Sequence, residues 1–204
     1  MEFTNAWFQG GRPVWEQLLP NFRPARILEI GSYEGQATCW LMQFCSRWHP
    51  LEIHCVDTWE GGVEHHAGGA YEADMAAVEQ RFRRNVEAAA RSLPHGVELR
   101  LHKTLSAEAL VNLLHQGYSG YFDLIDVDGS HLAADMLQDA VLSFRLLRSG
   151  GLLIFDDYLW IGDPGAPVDP YAIPKLAIDA FINLYRPRLR LLSASNLQVY
   201  VLKN

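Results

Sequence analysis

The chain has 204 residues, of which 49% are hydrophobic and 20% are charged, a balance typical of a globular protein of about one domain. Its formal net charge of -7 argues against a nucleic-acid partner, because phosphate binding depends on clustered Lys and Arg. No apolar run approaches the roughly 18 residues of a membrane span and no N-terminal segment resembles a signal peptide, so we expect a soluble cytoplasmic protein without a membrane partner.

Short apolar runs alternate with helical patterns from residue 26 onward, which predicts repeated βα units around a parallel sheet. The predicted strands are 25–30, 51–57, 97–102, 122–127, 151–156, 189–194 and 196–202. Helices are predicted at about 13–19, 35–46, 72–92, 106–115, 131–147 and 175–185. We therefore expect an α/β fold with a seven-stranded, mostly parallel sheet and helices on both faces.

The chain shows no internal repeat and no linker, so residues 1–204 are predicted to form a single domain with an N-terminal helical extension over 1–24. Two Gly- and Pro-rich segments, 60–71 and 160–174, follow the second and fifth strands. Both leave the edge of the sheet where ligands bind in open α/β folds, so we expect them to be active-site loops. The three cysteines, Cys39, Cys45 and Cys55, fall in apolar patterns and are predicted to be reduced core thiols.

The segment EIGSYEGQAT, residues 29–38, runs from the end of the first strand into a helix and has the form of a cofactor-binding turn. Gly31 and Gly35 allow the backbone to approach a ligand closely. The middle glycine of a dinucleotide turn is absent, and Glu29 precedes the first glycine. A carboxylate there repels a pyrophosphate but suits a ligand that carries an ammonium or sulfonium group.

The second strand ends in Asp57, which is placed to accept hydrogen bonds from both ribose hydroxyls of a nucleoside. Glu29 and Asp57 together indicate a cationic nucleoside, although either residue alone could cap the following helix. In these motifs the chain resembles the class I S-adenosylmethionine-dependent methyltransferases, which have an ExGxxxG turn and an acidic end to the second strand. The resemblance implies a Rossmann-like methyltransferase fold.

The stretch IDVDGSH, residues 125–131, is compatible with a calcium loop, a catalytic metal site or a plain turn. A calcium EF-hand loop would place Leu124 at its first ligand position and needs a helix where the strand pattern FDLI stands, so we reject it. In the methyltransferase fold, Asp128 ends the fourth strand, and Asp156 and Asp157 end the fifth. Three carboxylates converging at one edge repel each other unless a cation lies between them, and oxygen ligands favour Mg²⁺.

Several motifs together look like the Methyltransf_24 family, which is related to the macrocin-type sugar O-methyltransferases. They are EIGSYEG, VDTWEGG, RFRRNV, DVDGSH, LLRSGGLLIFDDY and QVYVLK. The resemblance covers the chain from about residue 12. It implies that Asp128, Asp156 and Asp157 bind Mg²⁺, that Asp128 also acts in catalysis and contacts the cofactor, and that His131 is the general base.

The same resemblance implies further cofactor contacts in addition to Glu29, Gly31, Gly35 and Asp57. They are Ser32 and Tyr33 in the turn, Thr58 and Trp59 after Asp57, and Ser106 on the adenine side. Asp126 departs from the family pattern. The two-residue period of a strand puts it on the same face as Asp128. Asp126 could therefore be a further metal ligand, or a neighbour whose charge raises the pKa of Asp128.

The predicted activity is S-adenosylmethionine-dependent methyl transfer, Mg²⁺-assisted, to a hydroxyl of a sugar or other small molecule. Two other functions stay open at this stage: a metal-dependent hydrolase, and a degenerate methyltransferase fold that acts as a binding module. The sequence does not identify the acceptor. It also leaves the oligomeric state open, with a homo-oligomer among the options.

Overall fold

The computed structural model describes residues 1–162, 167–194 and 197–204. Seven strands form one sheet: β1 (Arg26–Ile30), β2 (Leu51–Val56), β3 (Val97–His102), β4 (Phe122–Val127), β5 (Leu147–Phe155), β6 (Leu189–Leu191) and β7 (Val199–Lys203). Their order is β3-β2-β1-β4-β5-β7-β6, and only the pairs that involve β7 are antiparallel. The predicted seven-stranded, mostly parallel sheet is therefore confirmed.

The six predicted helices are all present, with bounds that differ by a few residues. They are α1 (Arg12–Phe22), α2 (Gln36–Cys45), α3 (Met75–Ala90), α4 (Ser106–His115), α5 (Ala133–Leu146) and α6 (Lys175–Tyr185). Helix α3 starts later than predicted because the carboxylate of Asp74 accepts a hydrogen bond from the backbone N–H of Ala77 and caps it there. No helix among the described residues is both long and apolar enough to cross a bilayer.

Helices pack on both faces of the sheet, each over its own apolar cluster. On one face Trp15 and Phe82, which come from α1 and α3, are among the largest buried side chains. On the other face Phe144 and Phe181, from α5 and α6, lie over β4 and β5. The cysteines are free thiols buried in the first cluster, as predicted, and burial raises the pKa of both Cys39 and Cys45 to about 12.

Three strand boundaries differ by more than one residue from the sequence-based prediction. Strand β5 begins at Leu147 rather than at 151, because Leu147 pairs with Phe122 before the register shifts around Gly150, whose φ is +73°. The strand predicted over 189–194 ends at Leu191, and the one predicted from 196 begins at Val199. Residue 196 lies outside the described part of the chain, as do residues 163–166 of the predicted loop 160–174.

The sheet positions a crevice beside the ends of β1 and β4. These two strands are adjacent and parallel, but the chain proceeds outward from them in opposite directions, through β2 and β3 on one side and β5 on the other. The loops that leave their carboxyl ends therefore diverge and open a cleft between them.

Candidate active site

A cavity of about 800 Å³ lies at the carboxyl edge of the sheet. Its wall includes the turns after β1, β2, β4 and β5, the start of α4, and parts of the loops 60–71 and 160–174. Most of the residues that the sequence singles out lie on this wall: Gly31, Ser32, Tyr33, Asp57, Thr58, Ser106, Asp128, His131, Asp156 and Asp157. Glu29, Gly35 and Trp59 are not among the described residues that line the cavity.

The carboxylate of Asp57 fixes the turn that follows β1. Its Oδ2 accepts hydrogen bonds from the backbone N–H groups of Ser32 (2.9 Å) and Tyr33 (2.8 Å), and its Oδ1 accepts one from Trp59 N–H (2.7 Å). Burial raises the pKa of Asp57, while these three hydrogen bonds favour the ionised form. Asp57 therefore shapes the turn itself, and Oδ1, with a second lone pair, keeps capacity for a ligand hydroxyl.

Gly31 is required by packing between the strand ends. Its φ is +83°, and a Cβ at this position would lie 1.9 Å from the backbone carbonyl oxygen of Asp128. The turn after β1 and the end of β4 can therefore meet only because residue 31 has no side chain. We expected Gly31 to make room for a ligand, and the structure shows that it first makes room for the neighbouring strand.

Glu29 lies beneath the turn, and its side chain is buried on the α2 face of the sheet. Its Oε2 accepts hydrogen bonds from the hydroxyls of Ser32 and Thr38, and burial raises its pKa. Glu29 was expected to face the ammonium group of a ligand, but its carboxylate does not reach the cavity wall in the part of the chain that the structure describes. It supports the turn from below.

Gly35 and Trp59 also act behind the wall. Gly35 has φ +79° at the start of α2, and a Cβ there would lie 2.9 Å from the ring of Phe82. Trp59 is 4% exposed, packs on the same ring at 4.9 Å between centroids, and donates its indole N–H to the carbonyl of Tyr33 (2.9 Å). Both residues shape the turn without touching its ligand side.

Four aspartates gather at the ends of β4 and β5. Asp126 is 2% exposed, and its Oδ1 has no hydrogen-bond partner among the described residues. Asp156 accepts hydrogen bonds from the backbone N–H of Asp157 (2.8 Å) and from Nε2 of Gln198 (2.8 Å). Asp157 has φ +54°, and Asp128 lines the same wall.

Burial and the charges of neighbouring carboxylates raise the pKa values of Asp126, Asp128 and Asp156. Burial is the largest cause for Asp126 and Asp128, and the charge of Asp156 is the next, so that both pKa values lie well above the ordinary range. Burial and the charge of Asp157 raise the pKa of Asp156 to about 6. The described residues nevertheless contain no group of three or more His, Cys, Asp or Glu side chains arranged to hold a metal ion. The donor chemistry fits a hard divalent cation, since the groups are carboxylates that a positive charge would relieve.

His131 lies between two carboxylates. Its Nε2 is 2.9 Å from Oδ2 of Asp157, and its Nδ1 is 3.4 Å from Oε1 of Glu64. Burial alone would lower the pKa of His131, but the hydrogen bond to Asp157 and the charges of Asp157 and Glu64 outweigh it and raise the pKa. The ring also stacks against Trp160, with 4.1 Å between centroids. His131 is therefore held in one orientation beside the aspartates.

Glu64 and Gln198 are wall residues that the sequence did not single out. Glu64 belongs to a 3₁₀ turn, Val63–His65, inside the loop 60–71, and its Oε1 also lies 3.3 Å from Nδ1 of His65. Gln198 precedes β7, and its Oε1 accepts hydrogen bonds from the indole N–H of Trp15 (3.0 Å) and from the hydroxyl of Tyr200. Two donors at Oε1 fix the amide so that its NH₂ faces Asp156.

Aromatic side chains cover part of the cavity. Trp7 packs against Tyr33 (5.1 Å between centroids) and Tyr71 (5.7 Å), and Tyr33 also contacts His65 (5.3 Å). Trp7 and Trp160 line the cavity, whereas Trp15 is 1% exposed and lies in the core.

Sequence comparison identifies one family. The Methyltransf_24 model, described as a methyltransferase domain, matches residues 28–158. This range begins in β1 and ends just after Asp156 and Asp157, so it contains the turn after β1, the end of β2 and the DGSH segment. No protein of curated function matches the chain by sequence.

Comparison with solved structures confirms the fold. The O-methyltransferase TomG from Streptomyces achromogenes, involved in tomaymycin synthesis and solved with SAM, is 18% identical, with a TM-score of 0.62 over 94% of this chain and 78% of that one. An O-methyltransferase from Bacillus cereus, solved with SAH, is 21% identical, with a TM-score of 0.62 over 98% and 82%. The MycE methyltransferase of the mycinamycin pathway, solved with Mg and SAH, is 19% identical, with a TM-score of 0.59 over 100% of this chain but 51% of its own.

Proposed function

The chain belongs to the Methyltransf_24 family of S-adenosylmethionine-dependent methyltransferases, and from that premise we propose that it methylates a hydroxyl oxygen of a small molecule with the help of Mg²⁺. The observation that carries the proposal is the placement of the turn held by Asp57, the aspartates that end β4 and β5, and His131 on the wall of one cavity. A cofactor site thus adjoins a site for acid-base chemistry. No observation on the described residues favours a hydrolase or a pure binding module.

The cofactor would lie across the ends of β1 and β2. The free capacity of Asp57 Oδ1 suits a ribose hydroxyl, and Ser32 and Tyr33 present the turn that Asp57 holds. Thr58 and Ser106 line the wall farther along, where we place the nucleoside. Because Glu29 is buried beneath the turn, we assign it to support of the turn rather than to contact with the methionyl ammonium.

The metal would be held by Asp128, Asp156 and Asp157. Their mutual repulsion and the unpaired Oδ1 of Asp126 support a cation at this position, and oxygen-only ligands favour Mg²⁺. When bound, S-adenosylmethionine supplies the methyl group and Mg²⁺ supplies a positive charge that stabilises the deprotonated acceptor oxygen. The contribution of the protein is to place and orient these groups, because methyl transfer requires the acceptor oxygen, carbon and sulfur in line.

His131 would accept the acceptor's proton. The carboxylate of Asp157 can only accept a hydrogen bond, so Nε2 of His131 carries the proton and Nδ1 keeps its lone pair. Nδ1 has no hydrogen-bond partner in the described parts of the chain, and it lies 3.4 Å from Glu64. Once Nδ1 is protonated, Asp157 and Glu64 flank the imidazolium with two negative charges. A sugar hydroxyl is one acceptor of this kind, and the wall suits other hydroxyl compounds equally.

A metal titration tests the proposal. The protein is loaded with S-adenosylhomocysteine and titrated with Mg²⁺ by calorimetry, first as wild type and then as Asp156→Asn/Asp157→Asn. We expect Mg²⁺ binding in the wild type and its loss in the double variant. The control is Glu87→Gln/Glu98→Gln, which removes the same charge from exposed carboxylates outside the cavity. Equal Mg²⁺ binding by all three proteins, or binding by none, would contradict the metal site.

A further inference from the structure

The described wall of the cavity carries many carboxylates but no lysine or arginine. Nine carboxylates line it: Glu34, Asp57, Glu64, Asp126, Asp128, Asp135, Asp156, Asp157 and Asp169. No Lys or Arg lines it within residues 1–162, 167–194 and 197–204, and the basic side chains on the wall are histidines. Wall charges of one sign inside a concave, partly desolvated site act strongly on the charge of a ligand.

Most of these carboxylates lack a positively charged partner within the protein. Of the nine, only Glu34 pairs with an arginine or lysine in the described part of the chain, through Nε of Arg81. Asp135 accepts a hydrogen bond from the hydroxyl of Ser130 (2.8 Å), and Asp169 accepts one from the backbone N–H of Tyr171 (2.9 Å). These contacts satisfy oxygen atoms but leave the negative charge in place.

The cofactor and the metal of the proposed function would neutralise only part of this charge. S-adenosylmethionine carries a net single positive charge, from its sulfonium, ammonium and carboxylate groups, and Mg²⁺ carries two. Together they supply three positive charges. Even with Asp126 and Asp128 protonated, as their raised pKa values favour, the other six carboxylates leave an excess of three negative charges. The remaining negative charge faces the space that is left for the acceptor.

Aromatic rings on the same wall also favour a positively charged ligand. Trp7 is 53% exposed and Tyr71 is 37% exposed, although Trp7 packs against both Tyr33 and Tyr71 at the cavity. The faces of such rings attract cations through their quadrupole. This feature is independent of the carboxylates, since it depends on the rings of Trp7 and Tyr71.

We propose that the methyl acceptor is a hydroxyl compound that also bears a positive charge, such as an ammonium group, and that phosphorylated and carboxylated acceptors are excluded. The inference rests on the proposed function and narrows its substrate class. The ammonium group would lie among the wall carboxylates that serve neither the metal nor the ribose, which include Glu64 in the loop 60–71 and Asp169 in the loop 160–174. An anionic acceptor would meet repulsion at the same place.

Three matched catechols test which sign of charge on the acceptor the cavity prefers. Dopamine, 4-methylcatechol and 3,4-dihydroxyphenylacetate share two ring hydroxyls and differ in carrying a positive, a neutral or a negative side chain. Each is titrated by calorimetry into the protein loaded with S-adenosylhomocysteine and Mg²⁺. We expect dopamine to bind on the order of tenfold more tightly than 4-methylcatechol, with the anion weakest and the differences smaller at high salt.

The outcomes separate the inference from the proposed function. If S-adenosylhomocysteine itself does not bind, the proposed function fails and this inference fails with it. If S-adenosylhomocysteine binds but dopamine binds no better than 4-methylcatechol, including the case in which neither binds, only the inference is overturned. Tightest binding of the anion overturns it as well.

Single-charge variants locate the effect. Glu64→Gln and Asp169→Asn each remove one wall charge with little change of shape, and Asn preserves the cap at Tyr171. We expect each to reduce the advantage of dopamine over 4-methylcatechol severalfold. The control Glu87→Gln removes an exposed carboxylate of α3, paired with Arg91, and should leave the ratio unchanged. Two wall variants keep the test decisive if one of them folds poorly, and equal ratios in wall and control variants would overturn the assignment.

Discussion

The role of Asp57 as a support of the cofactor turn leads to a quantitative prediction for Asp57→Asn. The carboxylate accepts three backbone N–H groups at 2.7–2.9 Å, whereas an amide offers one oxygen and one NH₂. If the oxygen faces Ser32 and Tyr33, the N–H of Trp59 meets a donor and is left unpaired. An unpaired buried donor costs about 1–3 kcal/mol, and the hydrogen bonds that remain lose the assistance of the charge.

Removal of the negative charge of Asp57 also recovers part of this loss of stability. Burial raises the pKa of Asp57, which means that the folded protein holds its ionised form at some cost. We therefore expect a net decrease of about 1–3 kcal/mol in the free energy of unfolding, measured by urea denaturation at pH 7.5. Affinity for S-adenosylhomocysteine, measured by calorimetry, should fall in the same variant because the turn loses its shape.

Asp123 provides a matched control for this variant. Its Oδ2 also accepts two backbone N–H groups, from Ala25 (2.9 Å) and Arg26 (2.8 Å), but at the amino edge of the sheet, away from the cavity. Asp123→Asn should therefore lower the stability while the affinity for S-adenosylhomocysteine stays unchanged. An Asp57→Asn protein with wild-type stability and weakened cofactor binding would refute the supporting role and leave Asp57 as a ligand contact only.

Three further predictions concern the packing of the strand ends, the acid sensitivity and the carboxylate site. Gly31→Ala should lower the free energy of unfolding by more than about 2 kcal/mol in urea denaturation, because the new Cβ would lie 1.9 Å from the carbonyl oxygen of Asp128; a neutral effect would contradict the geometry. Burial lowers the pKa of both His54 and His102, so the fold favours their neutral forms, and these two residues contribute less stability as the pH falls below about 6.5, where the unfolded chain takes up protons first. The stability of His102→Gln relative to the wild type, measured by urea denaturation, should therefore improve between pH 7.5 and pH 5.5, and a difference that does not change with pH would contradict this account. Gln198→Leu should weaken Mg²⁺ binding to the protein loaded with S-adenosylhomocysteine severalfold, because it removes the donor that orients Asp156. Gln198→Glu removes the same donor and should not bind Mg²⁺ as tightly as the wild type. Calorimetric affinities of both variants equal to that of the wild type would show that Gln198 does not support the site.

The fold could be predicted from the sequence because its strands carry clear local signals. The later part of β5 is a continuous apolar run, and β4 is apolar except for Asp123 and Asp126. The order of strands and helices then determines a parallel sheet with its ligand edge at the carboxyl ends. The start of β5 was missed because the Ser-Gly-Gly segment at 149–151 resembles a turn. In the structure it forms an irregularity that Leu147 spans by pairing with Phe122.

The sequence shows that Glu29 lies near the end of β1. It was harder to predict on which face of the sheet its side chain lies. Glu29 follows Ile27 by two positions in β1 and so shares its face, where Thr38 of α2 and Ser32 approach its carboxylate. Position beside a glycine turn suggested contact with a ligand. The alternation along the strand, combined with the position of α2, instead buries Glu29 beneath the turn.

The contributions of Glu64 and Gln198 could not be predicted, because they depend on distant segments. Gln198 reaches Asp156 across 42 positions and is oriented by Trp15 across 183. Glu64 lies in the Gly-rich loop 60–71, which was predicted as an active-site loop without a role for any particular residue in it. The contact of Glu64 with His131 follows from the fold of that loop over the ends of β4 and β5.

The central claim is that the cavity at the ends of β1, β2 and β4 binds the adenosyl cofactor. Calorimetric titration of the wild-type protein with S-adenosylhomocysteine tests it most directly, because this ligand needs neither the acceptor nor the metal to be known. The account predicts saturable one-to-one binding with micromolar affinity that is strongly weakened in Asp57→Asn and retained in Asp123→Asn. Absence of binding by the wild type, or equal affinity of all three proteins, would contradict it.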